Sequence, residues 1–161
     1  MRTRHGLTLA VAALFVAITA CGEDDDTTEP ATDFQATLTG AEEEPPVTTT
    51  ASGSATLSIA GDEIVYRVEV TDLENVLVSH IHIAEPGVNG PVRMNLCGIG
   101  LPDVPDCQGG TGVLVESSNS LTQDGISFDS LVSAIRAGNA YVNVHTTQHT
   151  GGEIRGQLEA E

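Results

Sequence analysis

The chain has no Lys and no Trp, and its six basic residues, all Arg, stand against 23 acidic ones, for a formal net charge of −17 over 161 residues. With no cluster of cations to neutralise a run of phosphates, nucleic acid is excluded as a partner. Aromatic side chains are nearly as scarce, at two Tyr and three Phe, so a core must be packed with small and β-branched aliphatics rather than rings. The most apolar uncharged stretch, Leu7 to Ala20, would rise about 21 Å as a helix against a hydrocarbon core of about 30 Å. A polytopic membrane protein is therefore excluded. Gly-x-Ser-x-Gly is missing, and so is a Gly-rich loop ahead of a helix, which leaves no residues for an activated-serine hydrolase or a phosphate cradle. What remains is 40% apolar with 17 Gly, the composition of one ordinary globular domain with one modest core.

The N-terminus has the order of an export signal: Arg2 and Arg4, then Leu7 to Ala20 without charge. It ends in Ile18-Thr19-Ala20-Cys21, which resembles the lipobox of bacterial lipoproteins. The resemblance implies that residues 1–20 are a signal peptide, that Cys21 is acylated and becomes the first residue, and that the acyl chains hold the protein to a membrane. Gly22, where Asp would retain a Gram-negative lipoprotein at the inner membrane, implies the outer membrane, at its periplasmic face or on the cell surface. Cleavage removes two of the six Arg and none of the 23 acidic residues, so the formal charge moves to −19. Residues 21–32, dominated by Glu23-Asp24-Asp25-Asp26, have almost nothing to bury and are expected to form a self-repelling, flexible tether.

From Asp33 onward, short runs of Val, Ile, Thr and Leu alternate with Gly, Pro, Asn and Asp, the mark of many short antiparallel strands. Strands are predicted at Phe34–Leu38, Ser54–Ile59, Ile64–Thr71, Val76–Ala84, Val92–Leu96, Val113–Ser117, Tyr141–Thr146 and Glu153–Leu158, with a tight hairpin at Gly61-Asp62. One segment keeps a helical period, Phe128, Leu131, Val132 and Ile135, with Ser127 or Asp129 as cap and Gly138 past its end. The expectation is a single all-β domain over residues 33–158, an antiparallel Greek-key β-sandwich of immunoglobulin-like or superoxide-dismutase-like type with one short helix. Cys97 and Cys107 share an irregular loop and, in an exported protein, are expected to form a disulfide.

Four of the five His fall in two places, His80-Ile81-His82 and His145-Thr146-Thr147-Gln148-His149. Alternate side chains of a strand share a face, which sets His80 and His82 opposite Ile81 and Ile83, and Tyr141, Asn143 and His145 opposite Val142 and Val144. If the aliphatic faces make the core, His80, His82, Asn143 and His145 lie on an outer sheet face beneath the loops 85–91 and 146–152. Three imidazoles at one mouth suit Cu²⁺ or Zn²⁺. The competing reading is that each ring fastens a loop by hydrogen-bonding a carbonyl. Metal ligation requires the donor nitrogens within about 3–4 Å of one another, whereas fastening requires a carbonyl beside each ring. Glu153 and Arg155, two apart on one strand, are expected to pair with each other and to extend the polar patch around Asn143.

These residues carry a family resemblance. Ser79-His80-Ile81-His82-Ile83, Gly87-Val88-Asn89-Gly90-Pro91-Val92, Ala137-Gly138-Asn139-Ala140-Tyr141-Val142-Asn143-Val144-His145-Thr146 and Gly152-Glu153-Ile154-Arg155-Gly156-Gln157-Leu158 together resemble a chordin-type (CHRD) domain. The resemblance implies a β-sandwich in an extracytoplasmic setting, with His80, His82, Asn143 and His145 at positions typical of the family and His149 at a variable one. A more distant similarity is to copper/zinc superoxide dismutase, although nothing between Glu85 and Val115 supplies that enzyme's His-rich zinc loop. The function expected is that of a lipid-anchored, non-enzymatic binding or interaction module for a protein or small ligand. The alternative is a copper- or zinc-binding metalloprotein or redox enzyme using the same His.

Overall fold

The computed structural model describes residues 30–161; the expected signal peptide, Cys21 and most of the acidic tether lie outside them. Among the described residues nine strands form: β1 (Asp33–Thr39), β2 (Ser52–Ala60), β3 (Glu63–Leu73), β4 (Val76–Ile83), β5 (Val92–Gly98), β6 (Gly110–Asn119), β7 (Ala140–Thr146), β8 (Ile154–Gln157) and β9 (Glu159–Ala160). One helix, α1 (Phe128–Arg136), precedes β7, and a 3₁₀ turn (Gly40–Glu42) follows β1. The period-2 pattern does what it should in β2 and β3. Ala55, Leu57, Tyr66, Val68 and Val70 face inward while Ser54, Thr56 and Arg67 do not, and Ala60 pairs directly with Glu63 across the two-residue turn at Gly61-Asp62.

All pairings are antiparallel, in the order β5-β4-β7-β8-β1-β2-β3-β6, with β9 added beside β1. β6 returns beside β3 after the β4–β5 hairpin, the Greek-key move. β8 meets β1 at a single residue pair, Thr39 with Arg155, so the sheet divides there into two halves that close over a shared core. Leu38, Leu57, Tyr66 and Val68 come from one half, and Ile81, Met94, Leu96, Val142, Val144 and Ile154 from the other. At the opposite edge β5 and β6 are not neighbours in the ladder. Individual bonds reach β5 across this gap instead: Tyr66 Oη of β3 donates to the Leu96 carbonyl at 2.7 Å and Asn119 Nδ2 of β6 to the Asn95 carbonyl at 3.0 Å. The Cys97–Cys107 disulfide, with Cα atoms 5.0 Å apart, ties the end of β5 to the loop that leads into β6. This is the expected all-β fold with one helix, as a nearly closed sheet.

In α1, Ser127 is the cap, its hydroxyl accepting from Ser130 N at 3.1 Å, and Leu131, Val132 and Ile135 are buried. Gly138, at φ 71°, ends the segment in the left-handed region. Every predicted strand differs from the observed one by one to three residues at one end or both, and two short elements were not predicted. β6 runs through Gly110 and Gly112, which read as strand breakers but sit at register irregularities against β3; β8 starts only at Ile154, after Glu153; and β9 and the 3₁₀ turn are too short to leave a periodic signal. The folded part also begins slightly before Asp33, because Thr32 O accepts from Ile59 N at 2.7 Å and Ala31 O from Arg136 Nε at 3.1 Å.

Candidate metal centre

β4 and β7 lie side by side, with His80 opposite Asn143, His82 opposite Tyr141 and Val78 opposite His145. Ile81, Val142 and Val144 between them are fully buried in the core, so the strand parity holds and His80, His82, Asn143 and His145 share the other face. That face is not an open outer surface. His82, Asn143 and His145 are buried and only His80 is half-buried, because the segments 84–91 and 147–153 fold back over it.

Each covering loop is tied to one imidazole. His82 Nδ1 donates to the Gly90 carbonyl at 2.9 Å, and His145 Nδ1 donates to the Thr150 carbonyl at 3.0 Å. A carbonyl only accepts, so both Nδ1 atoms carry the proton and both Nε2 atoms carry a lone pair. His82 Nε2 is buried with no hydrogen-bond partner. His145 Nε2 accepts from His80 Nδ1 at 3.3 Å. One nitrogen from each ring falls within 4.8 Å of the others. The His80–His145 separation already fits two bonds of about 2.1 Å to a common ion, and the widest pair needs to close by about 1 Å. Fastening and ligation are therefore not exclusive. An imidazole has two nitrogens, and in His82 and His145 Nδ1 holds the loop while Nε2 keeps the lone pair a metal would need, the way in which ligating His are usually held.

The rings are kept neutral. Burial, then the neighbouring His145 and His82, pushes His80 down to about 3. Burial likewise lowers His82 and His145 against the raising effect of their carbonyl bonds. Tyr141, between β4 and β8, stacks on His82 with centroids 4.7 Å apart and planes 7° apart, and Arg155 Cζ stands 4.8 Å from the same Tyr ring. Gly90 N donates to Tyr141 Oη at 3.1 Å, so the Asn89-Gly90-Pro91 turn is anchored to both aromatic partners.

Arg155 and Glu153 do not pair, contrary to expectation. Arg155, 3% exposed, donates from Nε to the Glu42 carbonyl and from Nη1 to Asn89 Oδ1 at 2.9 Å. Glu153 accepts from the Thr49 and Thr146 hydroxyls at 2.8 and 2.6 Å. The i, i+2 rule fails because Glu153 precedes β8 and its side chain follows the loop. His149, half-buried, lines a cleft with Glu43, Glu44 and Gly152 and is not in the cluster.

One residue of the site was not anticipated. Glu43 is 5% exposed, and burial raises its carboxyl to about 7 against the opposing effects of Arg155 and a hydrogen bond with Asn143. Within Glu42-Glu43-Glu44-Pro45 nothing in the sequence separates the buried Glu from its exposed neighbours.

No curated protein and no solved structure matches the chain. The family model of the CHRD domain matches residues 34–158, a span that runs from β1 to the last residue before β9 and contains the three histidines and both covering loops. The chain belongs to the CHRD domain family.

Proposed function

We propose that this protein is an exported, lipid-anchored, non-enzymatic binding module whose ligand is a transition-metal ion, copper or zinc, held by His80, His82 and His145. The observation that carries the reading is the arrangement of the three imidazoles. They are buried or half-buried and neutral, two are locked by carbonyls into the tautomer that frees Nε2, and one nitrogen of each ring lies within 4.8 Å of the others. Imidazole is a preferred donor for both metals. The cover over the rings favours holding an ion over turning over a substrate, since only His80 reaches solvent. Anchoring rests on Ile18-Thr19-Ala20-Cys21, and the acidic chain, at −17 overall, raises the local cation concentration around the module.

The test is metal content and thermal shift of the full-length protein in detergent. One equivalent of copper or zinc is expected after loading. An ion at a hundredfold its Kd adds about 2.7 kcal/mol, on the order of 10 °C in Tm, and His82→Ala removes the shift. Failure to retain metal, or a shift that survives His82→Ala, overturns the reading.

A further inference from the structure

Two buried acceptors near the histidines have no hydrogen-bond partner: Glu43 Oε1 and Asn143 Oδ1. They share one small space. A Cβ placed on Gly152 would stand 2.5 Å from Glu43 Oε1, 2.6 Å from Asn143 Oδ1 and 2.7 Å from Asn143 Nδ2. An ionised carboxylate has only lone pairs to offer and an amide oxygen only accepts, so two such atoms packed together leave both unsatisfied. One proton resolves both. If Glu43 is the neutral acid, its O–H supplies the donor that Asn143 Oδ1 lacks, while the Asn143 amide donates back to the carboxyl.

We propose that Glu43 is held as the neutral acid in a cyclic acid–amide pair with Asn143, and that this pair is a positioning device which keeps the 147–152 loop closed over His145. Glu43 is carried by the segment after the 3₁₀ turn and Asn143 by β7, and Gly152, at φ 126°, presses its backbone against both. The same loop supplies the Thr150 carbonyl that holds His145 Nδ1. The charged and titratable groups around Glu43 are few. Arg155 faces it from β8, donates from Nε to Glu42 O and from Nη1 to Asn89 Oδ1, and makes no ion pair with it. His149 borders the adjoining cleft from the loop, with Glu44 beside it. Burial opposes ionisation of Glu43 and outweighs the pull of Arg155. Raising the pH through about 7 ionises the acid, removes the shared proton and turns the pair into two facing acceptors. The loop then loosens, and with it the carbonyl that orients His145.

The role in the metal site rests on the function proposed above; the pair and its hold on the loop do not, and the experiment separates the two. Amide hydrogen exchange of residues 147–152 is measured on the full-length, metal-free protein at about pH 6 and pH 8.5, corrected for intrinsic exchange, with Zn²⁺ affinity measured in parallel. In the wild type, protection of the loop is expected to fall on the order of tenfold or more between the two pH values, following the loss of protonated Glu43. Glu43→Gln carries a permanent N–H in place of the acid O–H, so its loop should stay protected at both. Glu43→Ala should be poorly protected at both, and if it does not fold the Gln variant still decides. Wild-type protection that is flat with pH, or the same pH dependence in Glu43→Gln, overturns the proposal. Zn²⁺ binding that fails while the loop behaves as described overturns the function and leaves the pair standing.

Discussion

Gly151 and Gly152 are adjacent, both are Gly in a loop, and the structure gives them opposite sensitivities. Gly151 is exposed and an added Cβ would meet nothing within 4 Å. Gly152 is buried at φ 126°, and its Cβ would come within 2.5–2.7 Å of three polar atoms of Glu43 and Asn143. Two costs add in Gly152→Ala. Holding a non-Gly residue in that backbone region costs about 1–3 kcal/mol, and overpacking a buried contact costs about 1–3 kcal/mol more. The total of about 2–6 kcal/mol is a large fraction of a domain's stability. Relief by moving the loop carries the Thr150 carbonyl away from His145 Nδ1, so metal affinity should fall as well. Gly151→Ala is the control, expected within about 0.5 kcal/mol of wild type. Urea denaturation of the three proteins at pH 6, with Zn²⁺ titration of each, reads both effects. A Gly152→Ala variant that loses under about 1 kcal/mol, or no more than Gly151→Ala, refutes the packing described for this corner.

Reduction of the Cys97–Cys107 bridge, which closes a loop of ten residues' separation, should cost about 2.5–3 kcal/mol in denaturant midpoint experiments, and thiol labelling of the native, non-reduced protein should find neither Cys free. Acid should destabilise the protein through its buried His. His80 is held at about 3 in the fold against 6.5 for the free side chain, so the unfolded chain takes up a proton first and stability falls as pH drops from about 6.5 towards 3, by about 2–4 kcal/mol for this residue after allowance for its open edge. His80→Gln should flatten that part of the stability profile, and an unchanged slope counts against a neutral, desolvated ring. Cys21→Ser should abolish acylation and leave an unprocessed precursor, read by intact mass; an unlipidated wild-type N-terminus would refute the anchor.

The strands, the helix and the face on which each His stands were legible in the sequence because they rest on local periodicity. Ile81, Val142 and Val144 had to go inward, and a period of two then dictates where His80, His82, Asn143 and His145 point. Gly138 marked the end of the helix and Ser127 was one of two caps offered for its start, for the same local reasons, and the disulfide was expected from two Cys in one irregular loop. Other features depended on residues far apart in the chain. That the polar face is covered rather than open depends on Gly90 and Thr150 carbonyls reaching back to His82 and His145. The partners of Glu153 are Thr49 and Thr146 rather than Arg155, one of them 104 residues away. Glu43 looked like any member of an acidic run until the fold placed it beside Asn143 and Arg155. A strand pattern specifies the direction in which a side chain leaves the backbone. Its burial, its hydrogen-bond partner and its protonation state are set by which distant segments close over it, and these arise only once the two halves of the sheet have met.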